Sequence, residues 1–70
     1  MDELVFEVTQ EIDGGFVAEC LTEGIVTQAN DWDMLRQNVR EAVAAFYFDR
    51  TVKPARIRLH HTRNQIFACL

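Results

Sequence analysis

NDWDMLRQNVREAVAAFYF, residues 30–48, decides the reading of this chain. Trp32, Leu35, Val39, Ala42, Val43 and Phe46 lie 3, 7, 10, 11 and 14 positions on from the first of them, which draws one apolar stripe down an α-helix. Asp33, Arg36, Gln37, Arg40 and Glu41 occupy the opposite face. Asn30 or Asp31 is the N-cap, since either side chain accepts from amides that a first turn leaves without partners. Asp33 suits the positive end of the helix dipole and Arg50 the negative end. No Gly or Pro interrupts the run. The stretch is predicted to be a helix with one stripe to bury, and the flanking apolar segments are what can bury it.

Upstream, Leu4-Val5-Phe6-Glu7-Val8-Thr9 alternates as a strand, with Leu4, Phe6 and Val8 on one face. Asp13-Gly14-Gly15 offers the positive φ of a hairpin turn. Phe16 to Leu21 is the return strand, its Phe16, Ala18 and Cys20 facing the helix because the other set includes Glu19. After the turn Thr22-Glu23-Gly24, Ile25 to Gln28 is a short third strand. Downstream, Pro54 stops the helix. Ala55 to His61 then alternates as a fourth strand, with Ile57 and Leu59 on one face and Arg56, Arg58 and His60 on the other. Gln65 to Leu70 is a weaker apolar fifth strand.

The order β-β-β-α-β makes an α+β fold, one helix on one face of a sheet. A right-handed crossover predicts strand order 3-2-1-4, the fourth strand parallel to the first. The charge distribution supports that neighbourhood. Residues 1–49 hold all eleven acids and only Arg36 and Arg40, a net −9, whereas residues 50–70 hold five bases and no acid, a net +5. Parallel strands one and four would set Glu3 and Glu7 beside Arg56 and Arg58.

Seventy residues form one domain that buries only about 60% of its unfolded surface, so help from a partner or a second copy is expected. One helix covers one face. Val5, Val17, Leu21 and Phe67 are left for the other face or an edge; Tyr47 and Phe48 read most simply as core and helix-end packing, but lie partly off the main stripe and so can reach a second subunit. These six are the candidate partner or oligomer interface, because apolar patches and bare strand edges recruit other chains. A homodimer or another protein complex is the expectation.

Asp13-Gly14-Gly15-Phe16-Val17-Ala18, then Thr27-Gln28, then Leu35 with Asn38-Val39-Arg40-Glu41-Ala42-Val43, resembles the HicB-like antitoxin family in order and spacing. Ile57-Arg58-Leu59-His60 is similar to the ending of one small branch. The resemblance covers about residues 5–60. It implies a partly degraded ribonuclease-H-like β-β-β-α-β fold and a bacterial toxin–antitoxin role, the sequestering of a small basic mRNA-cleaving HicA-like toxin. An acidic inhibitor and a basic enzyme attract one another and associate quickly. Family members commonly append a DNA-binding domain, and the 70 residues read here hold none, so a stand-alone member is implied. The family's Pro-Gly before the third strand is replaced by Thr22-Glu23-Gly24.

Other chemistries read less well. Two-metal nuclease chemistry needs convergent acids, and Glu7, Asp13 and Glu19 are better read as solvated or paired charge. His60 and His61, adjacent on a strand, point to opposite faces and do not chelate one ion. Cys20 and Cys69 read as small buried hydrophobes rather than as a disulfide, nucleophile or zinc pair. No enzyme activity, metal or cofactor is expected. An alternative is an orphan oligomer that binds nucleic acid weakly through Arg56, Arg58 and Arg63, yet the stripe is short and the chain acidic. With no apolar run long enough to span a bilayer and no basic signal at the start, the expected setting is the cytoplasm, away from membranes.

Overall fold

The computed structural model describes residues 3–62. The proposed fifth strand, with Phe67 and Cys69, and Arg63 lie outside them. Element order is β1 (Glu3–Gln10), β2 (Phe16–Cys20), β3 (Val26–Ala29), α1 (Trp32–Phe46) and β4 (Arg56–Thr62). The four strands form one mixed sheet in the order β3-β2-β1-β4, as the crossover argument predicts. β1 and β2 pair antiparallel, as do β2 and β3, and β4 runs parallel to β1.

Alternation along β1 sets the two faces. Leu4, Phe6 and Val8 are almost wholly buried toward α1, joined from β2 by Ala18 and Cys20. From the helix come Leu35 and Val39, four residues apart, then Val43 and Tyr47 at the same interval. Tyr47 corrects its assignment to an interface. Its N–H still bonds the Val43 carbonyl at 3.0 Å, so it prolongs the stripe by one turn and is only 8% exposed. Each large side chain buried this way contributes about 1.5–3 kcal/mol.

Local chemistry fixes the element ends. Asp31 is the N-cap, its Oδ1 accepting the Met34 N–H at 2.8 Å. Arg50 sits past the helix end, where its guanidinium lies over the Phe46 and Tyr47 rings, 4.6 and 5.4 Å from their centroids. In the β1–β2 loop, Gly14 takes φ +95°, a conformation that strains any residue with a Cβ. There the Gly15 N–H donates to Asp13 Oδ1 at 3.1 Å. β3 begins one residue later than the sequence suggests. Ile25 is instead a buried loop residue whose carbonyl accepts the Cys20 N–H at 2.9 Å.

Candidate protein-interaction surface

With α1 on one side, the opposite face of the sheet has no described element over it. Strand register lays out its residues row by row. Thr9 stands beside Val17, and Val17 beside Gln28. The next row runs Val26, Glu19, Glu7, His60. Val5 follows, flanked by Arg58 and by Leu21, whose N–H donates to the Val5 carbonyl at 3.1 Å. Glu3 and Arg56 close the β1–β4 side. Leu21 and Val26 are 60% and 61% exposed, while Val5 and Val17 are half-buried between their neighbours. The face is thus an apolar cluster interleaved with carboxylates. Glu7 and Glu19 stand directly opposite one another, and like charges so placed weaken a sheet.

Of the expected interface residues, the structure brings Val5, Val17 and Leu21 together on this face. Phe48 is 83% exposed but lies in the turn after α1, apart from them, and Tyr47 belongs to the core. Val26 belongs to the cluster and was missed because its strand was read without the register that places it beside Glu19. Ile12, fully exposed at the hairpin tip, is a further apolar residue that the strand pattern did not single out.

The charges meet the expected pairing at Glu3, which engages both arginines. Its carboxylate lies 3.1 Å from Arg58 Nε, accepts from Arg58 Nη2 at 3.3 Å, and is 4.0 Å from Arg56 Nε. Glu7 is in register with His60 rather than with an arginine. Arg56 and Arg58 are therefore partly compensated, which reduces their hold on a phosphate backbone.

Other candidates separate in space. Asp13 sits in the hairpin loop while Glu7 and Glu19 lie on the sheet, and among the described residues no group of three His, Cys, Asp or Glu is arranged to hold a metal ion. His60 faces the open side. His61 faces the other, its ring 5.8 Å from Phe16 and 5.4 Å from Trp32. Cys20 is a buried free thiol, 3.8 Å from the Thr22 hydroxyl.

One polar contact was not anticipated. Asn38 Nδ2 donates to the Gln28 carbonyl at 3.0 Å and ties α1 to β3. The only sequence signal for it is an amide on the flank of the helical stripe. No helix among the described residues is long and apolar enough to cross a membrane. Comparison with family models, curated proteins and solved structures found no match.

Proposed function

We propose that this chain is a non-enzymatic protein-binding domain of the antitoxin type and that the open face of its sheet holds the partner. The observation that carries this reading is the composition of that face, where Val5, Val17, Leu21 and Val26 lie among Glu7 and Glu19. Apolar side chains there supply the burial that drives association. The exposed Glu19 carboxylate favours a basic partner and speeds the encounter. The net −9 over residues 1–49 adds to the same field. The resemblance to HicB-like antitoxins narrows the partner to a small basic mRNA-cleaving protein, met in the cytoplasm. Self-association through the same surface is the minimal form of this reading. Nucleic acid on Arg56 and Arg58 is the weaker alternative, because Glu3 already holds both guanidiniums.

Affinity capture of the tagged chain from its own host at moderate salt, with mass-spectrometric identification, is expected to recover a small basic protein in near-equal amount. RNA cleavage by that protein is expected to stop when this chain is added to about equimolar concentration. Cleavage that continues unchanged, or recovery of the chain alone, rejects the antitoxin reading.

A further inference from the structure

We draw no further inference here: the strongest candidate, the groove between α1 and β4 lined by Arg36, Val39, Arg40, Ile57 and Leu59, carries nothing, because residues 63–70 follow β4 directly and lie outside the described residues, so that nothing in the structure shows what covers it.

Discussion

The Asn38–Gln28 contact gives the most discriminating test of how the helix is held on the sheet. Asn38 is half-buried and donates from Nδ2 to a main-chain carbonyl of the edge strand at 3.0 Å. A neutral hydrogen bond of this kind has a net worth of about 0.5–1.5 kcal/mol, and partial access to water places this one in the lower half. Asn38→Ala is therefore expected to cost about 0.5–1 kcal/mol, a fall in Tm of roughly 3–6 °C for a domain this small. Asn38→Asp should cost more near neutral pH, because an ionised carboxylate only accepts and would face a carbonyl that also only accepts. The folded state would then disfavour the charged form and raise the pKa of the introduced carboxyl. A raised folded pKa means that the relative stability of this variant is best below the unfolded value of about 3.9 and is lost as pH rises through the folded value. The Asp variant should thus approach the parent near pH 3.5 and fall below the Ala variant near pH 7.5, each compared with the parent at the same pH. Urea unfolding followed by circular dichroism reads this directly. If both variants match the parent at both pH values, α1 is not tied to β3 by this bond.

Three further outcomes follow from the packing. Leu35→Ala removes a fully buried side chain at the centre of the helix–sheet contact and should cost about 3 kcal/mol or more, enough to populate unfolded chain at room temperature, as urea melts would show. Asp31→Ala removes the side-chain acceptor for the Met34 amide and should cost about 1 kcal/mol in the same melts, whereas Asp31→Asn should cost much less. Glu3→Gln loosens both Arg56 and Arg58, yet all three side chains retain water access. Its effect should stay below about 1 kcal/mol and vanish at high salt, as thermal melts across a salt series would read.

The sheet order was readable because two independent signals agreed. A right-handed crossover and the opposite charges of the chain's two parts both place β4 beside β1, and Glu3 indeed meets Arg56 and Arg58. The faces of β1 and β2 were readable from alternation, and the helix from its stripe and its Asp31 cap. Tyr47 was misplaced because the stripe was ended at Phe46, one residue short of the position four on from Val43. The parallel ladder sets Glu7 in register with His60, a detail that the charge pattern did not carry. β3 starts at Val26 rather than Ile25, and so short a strand shows no alternation from which its faces could be assigned before its register against β2 is known. The Asn38 bond and the groove beside Ile57 depend on where α1 lies across the sheet. That placement is set by packing against β2 and β3 and leaves no periodic trace in sequence.

The measurement that bears most directly on the central claim, that the open face of the sheet is the binding surface, is parallel affinity capture with the parent chain and with Leu21→Lys/Val26→Lys. Both positions are largely exposed, so the variant should keep its circular dichroism and its urea midpoint. The parent is expected to recover a basic protein in near-equal amount, and the variant to lose most of it through lost apolar contact and added like charge. Equal recovery by the two chains would contradict the claim and move the contact to another surface.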